Sequence, residues 1–162
     1  SGLLIIAKND KAHIQVSEQI KNREVKKTYI ALVRGNVKKN QGIINMPIAR
    51  STKDRKKMAV DKKGKEAITE FKVLKRYDGY TLLEVKIKTG RTHQIRVHMS
   101  HIGHGIIGDE LYGYVDESLI NRQALHAYSL SFNQPRTKEN LEFKAELSND
   151  IKNLIEKLRK NN

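Results

Sequence analysis

The chain of 162 residues carries a formal net charge of +14, contains no cysteine and is 38% hydrophobic. This length fits one domain, which we place at residues 1–162, and the hydrophobic fraction excludes a wholly disordered chain. Without cysteine the chain can hold neither a disulfide nor a thiolate metal site, and we expect it in the reducing cytoplasm. A charge this positive attracts polyanions and usually indicates nucleic acid. A membrane surface, or a lysine-rich surface without a partner, would also account for it.

The first predicted element is an apolar strand at residues 3–7, LLIIA. A stretch that is apolar on both faces belongs inside a sheet. It is far too short to span a membrane, so we expect no membrane partner. Because this strand begins two residues from the end and no methionine precedes it, we expect the chain to be part of something longer.

A helix, two strands and a loop are predicted next. Asn9-Asp10 offers an N-cap, with Asp10 as the expected capping residue, for a helix that runs to about Asn22, because apolar residues recur there at every fourth position. Strands are predicted at residues 25–33 and 42–48 from their β-branched and aromatic content. Residues 50–65 carry eight lysines or arginines against two aspartates with almost no periodicity, which predicts a basic loop.

The clearest local pattern is a hairpin centred on Asp78-Gly79, a dipeptide suited to a tight type I′ turn. Apolar residues alternate on both sides of the turn, so each strand has one buried face. From Thr92 the apolar period becomes helical, and Gly103 is placed to end that helix.

The remaining elements are two strands and a helix. The strands are predicted at residues 125–132 and 141–147, and an amphipathic helix begins after Ser148. Together the elements predict an α+β fold with a mixed, mainly antiparallel sheet and three flanking helices.

Residues 90–109, GRTHQIRVHMSHIGHGIIGD, contain four histidines, two arginines and four glycines. A zinc or iron site would place two histidines four apart on one helical face, usually with an acid. These histidines are spaced five, three and three apart, and the arginines would oppose a dication. We therefore expect no metal and no cofactor, with individual histidines bonded to neighbouring carbonyls.

The two arginines of this stretch favour an anionic partner. Donors beside a helix start, followed by glycines that permit close approach, are suited to a polyanion. Arg91 precedes the helix and should point outward. Arg96 lies one turn in, on the polar side, where a rigid helix would preorganise it to pair with a carboxylate or phosphate. On spacing alone, an ordinary surface arginine is the alternative.

Residues 90–113, GRTHQIRVHMSHIGHGIIGDELYG, closely resemble the motif GRTHQIRVHLxxxGxPIxGDxxYG of the RluA/RluD-type pseudouridine synthases, which isomerise uridines in ribosomal and transfer RNA. SGLLIIAK at the start, KKTYIALVRG at 26–35 and LHAYSLSF at 125–132 agree in the same order. Gly105 stands where the family usually has proline. In the family, HRLDxxT precedes SGLL and supplies the catalytic aspartate, which is absent from this chain.

The resemblance implies which residues form the site. Tyr29 matches the tyrosine that stacks on the flipped uracil, and Arg96 matches the arginine that pairs with the catalytic aspartate. Leu125 resembles an apolar residue that lines the uracil pocket, although ordinary packing would also explain Tyr29 and Leu125. We assign substrate binding to four cations and donors: Lys27, Arg50, Arg91 and His93.

The implied activity is the isomerisation of uridine to pseudouridine, with ribosomal large-subunit RNA as the expected substrate and transfer RNA as the other candidate. Because the nucleophilic aspartate is missing, we expect the chain as given to be inactive. We expect Arg96 to relax toward solvent or to capture a phosphate, and Asp109 to cap local N–H groups rather than act as a substitute. The loss of upstream strands should expose apolar surface and favour self-association.

Two other classes of function are compatible with parts of the sequence. A non-catalytic RNA-binding module explains the charge and the basic loop equally well. A metal-dependent nuclease would explain histidine beside arginine, but it requires carboxylate clusters that the sequence does not contain.

Overall fold

The computed structural model describes residues 1–160. Within them the chain forms three helices and eight strands. The helices are α1 Asp10–Lys21, α2 Gln94–His101 and α3 Asn149–Lys160, and the strands are β1 Lys26–Arg34, β2 Gln41–Asn45, β3 Ile48–Arg50, β4 Met58–Val60, β5 Ile68–Tyr77, β6 Tyr80–Ile87, β7 Leu125–Asn133 and β8 Asn140–Lys144.

Six strands form one sheet in the order β2-β5-β6-β1-β7-β8, and every pairing between them is antiparallel. β1 lies inside the sheet, and its residues 30–33 are buried on both faces, as a continuous apolar run requires. β3 and β4 form a separate hairpin. The predicted α+β class is confirmed. Parallel contacts in residues 1–160 are limited to two isolated bridges.

The predicted hairpin is confirmed as β5 and β6. The predicted type I′ turn is wrong: Gly79 has a left-handed φ of 71°, but Asp78 lacks the positive φ that a type I′ turn also requires at its first central residue. The alternating residues on the predicted face are buried or half-buried: Ala67, Thr69, Phe71, Val73, Leu83, Val85 and Ile87. α2 packs on this face, so one side of the sheet supports the motif that contains the arginines.

The terminal helices are also as predicted. The side chain of Asn9, rather than that of Asp10, accepts a hydrogen bond from the Ala12 amide at 2.9 Å and so caps α1. The apolar stripe of α3 is buried: Ile151, Leu154, Ile155 and Leu158. These two helices confirm that periodicity and capping predict helices well here. None of the helices in residues 1–160 has the length and apolar character needed to cross a membrane.

The predicted strand at residues 3–7 is wrong. The backbone of the N-terminal segment bonds to β7 through Ser1 and Leu3, and the Leu3 amide donates to Ala127 O at 3.0 Å. Beyond Leu3 the segment forms no strand, and Leu4 and Ile6 are 80% and 76% exposed. An apolar run therefore did not suffice to form a strand, because no neighbouring backbone pairs with it beyond residue 3.

The predicted basic loop and the strand before it also need correction. The strand predicted at 42–48 is divided at Pro47 between β2 and β3, which belong to different sheets. Residues 58–60 form β4 and pair with β3 in register Ala49 to Ala59. Met58 and Val60 pack on a small cluster of Ile48, Ala67 and Val97. The flanking lysines hid this short strand in the sequence. Residues 50–65, the basic hairpin, thus form a loop as predicted at 51–57 and an irregular stretch after residue 60, with β4 between them.

Candidate active site

The turn that leads into α2 is held by the buried side chain of Gln94. Its Oε1 accepts hydrogen bonds from the Thr89 hydroxyl at 2.8 Å and the Arg91 amide at 3.0 Å. Its Nε2 donates to Ile68 O and to the Thr69 hydroxyl, both at 3.0 Å. All four bonding positions of the amide are used, so the turn carrying Arg91 is fixed to β5.

Arg96 lies one turn into α2 and forms a bidentate ion pair with Asp109. Arg96 Nε and Nη2 donate to the two carboxylate oxygens of Asp109, each at 2.7 Å. The side chain of Arg96 is 13% exposed and that of Asp109 is fully buried. The expectation that Arg96 relaxes toward solvent is therefore wrong, because its guanidinium pairs with a carboxylate from the glycine-rich loop. The alternative, that Arg96 captures a phosphate, stays a prediction.

Asp109 is held ionised by its surroundings. Burial alone would raise the pKa of Asp109, but the bonds from Arg96 and from the amides of Tyr112 and Leu111 lower it below its ordinary value. Those two amides donate to Oδ1 at 3.2 and 3.0 Å. The predicted capping by Asp109 is thus confirmed, and the same carboxylate also fixes one edge of the Arg96 guanidinium.

Tyr112 connects three parts of the site. Its hydroxyl accepts a hydrogen bond from the Met58 amide of β4 at 2.8 Å and lies 2.9 Å from His93 Nδ1. Its ring stands edge-on to the His93 imidazole and lies 5.0 Å from the Arg96 guanidinium carbon. Burial, followed by the charge of Arg96, lowers the pKa of His93. The basic hairpin is thereby attached beside the start of α2.

Tyr29 and Leu125 lie on the sheet face that α2 covers. Tyr29 pairs with Val85 on one side and with Ala127 on the other, and Leu125 pairs with Ala31. Cross-strand partners point to the same face, so both side chains share it, and both are partly buried against the core. Burial raises the pKa of the Tyr29 hydroxyl, which keeps it neutral. Partial burial suits a flat side chain that stacks on a base.

The four predicted substrate-binding residues are not in one place. Arg50 and Arg91 line the same surface cavity of about 430 Å³ between the basic hairpin and the turn before α2. Arg91 also donates to Glu66 O at 2.8 Å. Lys27 lies on β1 beside Gly90. His93 belongs with Tyr112 and Arg96. Its own backbone has a left-handed φ of 55°.

Two other histidines of the motif, His98 and His104, bond to distant parts of the fold. His98 is fully buried and bonds to Met46 O and to the Thr69 hydroxyl, each at 2.9 Å. His104 Nδ1 lies 2.9 Å from Arg34 O. The predicted bonding of histidines to carbonyls is confirmed at these two. Within residues 1–160, no group of three or more histidine, aspartate or glutamate side chains is arranged to hold a metal ion.

The sequence did not reveal the bonding roles of Gln94, Tyr112 and Thr69. Gln94 stands at the start of a helix, where a side-chain amide commonly bonds to nearby backbone, and this signal was available. Tyr112 and Thr69 meet their partners only through the tertiary fold, 54 residues from Met58 and 29 residues from His98 in the chain. No local pattern could have found them.

Comparisons with known proteins identify the family of this chain. A family model described as RNA pseudouridylate synthase matches residues 1–101. The "uncharacterized RNA pseudouridine synthase YlyB" of Bacillus subtilis is 49% identical over 99% of this chain and 53% of its own length. Ribosomal large subunit pseudouridine synthase D of Zymomonas mobilis is 38% identical over 98% of this chain and 53% of its own length. The chain thus spans about half the length of these curated relatives.

A solved structure extends the likeness to the fold. Human RNA pseudouridylate synthase domain containing 1 superposes with a TM-score of 0.74 at 30% identity, covering 94% of this chain and 73% of that one. The matched family region includes Tyr29, Arg91 and Arg96. The chain belongs to the RNA pseudouridylate synthase family.

Proposed function

We propose that this chain forms most of the uridine site of an enzyme that converts uridine to pseudouridine in ribosomal large-subunit RNA. The substrate class is supported by relatives named ribosomal large subunit pseudouridine synthase D, which are 38% and 39% identical to this chain. Tyr29 and Arg96 act at the reacting nucleotide, and Leu125 lines the pocket. Lys27, Arg50, Arg91 and His93 bind the RNA around it.

The observation that carries the proposal is the state of Arg96. Its Nε and Nη2 are bonded to Asp109, whereas its Nη1 donates to no acceptor within residues 1–160. A guanidinium fixed along one edge presents its other edge in a defined direction. That free edge can pair with a second carboxylate, the role that the family resemblance gives to this arginine. Such a pairing keeps a nucleophilic carboxylate ionised in a dry pocket.

The reaction breaks the N1–C1′ bond of uridine, turns the uracil and joins its C5 to C1′, after which the C5 hydrogen leaves as a proton. Nothing is oxidised or reduced, so the chemistry requires no redox partner. The base must first leave the RNA stack, which costs a few kcal/mol. Stacking on Tyr29 offsets about 1–3 kcal/mol of this cost. Phosphate binding by the basic surface supplies the rest.

The basic hairpin is the proposed RNA-binding element beside this pocket. Residues 50–65 carry eight lysines or arginines, and the Tyr112 hydroxyl attaches this hairpin next to His93 and Arg96. If about four to six phosphates are neutralised, log K falls against log salt with a slope of about −3 to −5. RNA affinity that does not change between low and physiological salt would contradict RNA binding by this surface.

We further propose that residues 1–162 alone do not turn over uridine. In the family the nucleophilic aspartate stands in HRLDxxT, immediately before the stretch that corresponds to SGLL. Asp109 cannot replace it, because both its oxygens are bonded to Arg96 and Oδ1 also accepts two backbone amides. A displacement of about 1 Å at a reacting group already costs about 100-fold in rate.

The test measures tritium release from C5-labelled uridine in ribosomal RNA. It compares residues 1–162 with a chain extended upstream through HRLDxxT. We expect turnover only by the extended chain, and its loss when the motif's aspartate becomes asparagine or when Arg96→Met is introduced. Turnover by residues 1–162 at the rate of the extended chain would refute the assignment of the nucleophile.

The second candidate is a non-catalytic RNA-binding module. The charge of the basic hairpin favours it equally, because phosphate binding needs no nucleophile. An extended chain that binds ribosomal RNA with the expected salt dependence but releases no tritium would establish this alternative.

A further inference from the structure

Lys27 combines partial burial with the absence of a bonding partner in the part of the chain that the structure describes. It is half-buried on β1, and its Nζ makes no hydrogen bond or ion pair with any acceptor in residues 1–160. By contrast, Lys86 pairs with Glu84 at 3.4 Å and Lys88 pairs with Glu70 at 3.5 Å. Burial lowers the pKa of Lys27. The Lys27 ammonium is therefore partly shielded from water and has no carboxylate partner among the described residues.

The position of Lys27 relates it to the uracil site. Lys27 and Tyr29 are two residues apart on β1, so their side chains share a face and are separated by about 7 Å along the strand. This separation is similar to the reach from the base of a nucleotide to its own phosphate. A ligand that stacks on Tyr29 would therefore bring a phosphate within reach of Lys27.

Gly90 leaves room for such a ligand. A Cβ added to Gly90 would lie 3.4 Å from Lys27 Nζ, so any larger side chain there would crowd the ammonium. Gly90 belongs to the turn before α2, so the ammonium lies beside that turn.

We propose that Lys27 binds the phosphate attached to the uridine that stacks on Tyr29. This inference rests on the proposed function and specifies which element of the RNA one side chain recognises. The RNA phosphate would be the anionic partner that Lys27 lacks in the free chain. Lys27 is thus a substrate-binding residue that acts on the RNA backbone and carries no sequence information.

The proposal predicts opposite effects on folding and on binding. A partly buried cation without a partner disfavours the folded state, so Lys27→Met leaves the melting temperature unchanged or raises it. Loss of one phosphate contact weakens RNA binding and reduces the magnitude of the salt slope by about 0.9. A lysine with a purely structural role would instead lower the melting temperature when it is replaced.

The experiment measures the affinity of residues 1–162 for a short RNA hairpin with one uridine in its loop, across a range of salt. Lys72→Met is the matched control, because Lys72 is an exposed lysine of β5 on the opposite face of the sheet. At 0.1 M salt we expect about 5- to 10-fold weaker binding for Lys27→Met, and less than about 2-fold for Lys72→Met. Equal effects of the two variants, or a fall in melting temperature with Lys27→Met, would overturn the proposal.

A second measurement identifies the phosphate. The phosphates on the two sides of the loop uridine are replaced, one at a time, by uncharged methylphosphonates. One of these replacements should weaken binding by the wild-type chain and leave binding by Lys27→Met unchanged. Additive losses at both positions would overturn the assignment to Lys27. A wild-type chain without salt-dependent RNA binding would contradict the proposed function as well, so the two failures are distinguishable.

Discussion

The site around Arg96 and the segment at residues 3–7 are opposites in composition and in packing. Around Arg96 the side chains are polar, yet Asp109, Gln94 and His98 are at most 3% exposed and each is bonded to several partners. In the segment the side chains are apolar, yet Leu4 and Ile6 are 80% and 76% exposed. The comparison teaches that a side chain is buried here when the fold places bonding or packing partners around it. Hydrophobicity alone does not bury a side chain.

The largest effect should come from breaking the buried ion pair. Asp109→Asn leaves Arg96 largely buried without a carboxylate, and we expect it to lower the free energy of unfolding by about 3–5 kcal/mol. Urea denaturation measures this change. The control is Asp150→Asn, which breaks the ion pair between Arg122 and Asp150. The side chain of Arg122 is 30% exposed and that of Asp150 is 38% exposed. This control should cost only about 0–1 kcal/mol. Equal costs would show that burial does not distinguish the two pairs.

A smaller effect should appear as pH falls. Burial, together with the nearby charge of His101, lowers the pKa of His98, although its bond to Met46 O opposes the shift. The unfolded chain takes up a proton near pH 6.5 and the folded chain does not, so stability is full above about pH 6.5 and decreases below it. For one imidazole the slope is at most about 1.4 kcal/mol per pH unit.

The pH effect is checked by urea denaturation between pH 7.5 and 5 on the wild-type chain and two variants. His98→Gln should make the decrease in stability at low pH shallower. His101→Gln is the control, since His101 is exposed, and it should leave most of the decrease in place. A decrease that is unaltered in His98→Gln would assign the pH dependence to other groups.

The smallest effect on stability should come from the segment. Leu4→Ser with Ile6→Ser should change the free energy of unfolding by less than about 0.5 kcal/mol, because both side chains are already in water. Leu3→Ser with Ile5→Ser is the matched control, since these two residues are half-buried, and it should cost more. A cost above about 1 kcal/mol for Leu4→Ser with Ile6→Ser would show that these two side chains pack against the folded chain.

We also propose that Leu4 and Ile6 drive self-association of the chain. Sedimentation should then show less self-association for Leu4→Ser with Ile6→Ser than for the wild-type chain.

The same contrast explains which sequence predictions succeeded. α3 and the β5–β6 hairpin were predictable, because their apolar periods and the Asp78-Gly79 turn are local signals. β4 was hidden, because three residues between lysines carry almost no pattern. The segment at 3–7 was mispredicted because a strand also needs a backbone to pair with, which its own residues do not reveal.

Only those residues of the candidate site that lie in motifs shared with a known family were predictable from the sequence. Tyr29, Arg96 and Leu125 came from resemblance, and the structure places Tyr29 and Leu125 on one sheet face. The sequence predicted Asp109 as a capping residue in preference to a substitute nucleophile, and it did not predict the pairing with Arg96. This pairing depends on how the loop folds back on α2, 13 residues along the chain. The sequence spacing of residues predicts which of them share a helical face, but it does not predict which loop residue folds back onto that helix.

The left-handed backbone of His93 affects what RNA binding must do. A residue other than glycine in this conformation costs roughly 1–2 kcal/mol, and the bonds of Gln94 and Tyr112 hold it there. The conformational entropy of this turn is therefore lost when the chain folds, before any RNA arrives. An incoming RNA meets donors that are already ordered, so the free energy of its contacts goes to affinity and to extrusion of the base, and little of it to arranging the protein.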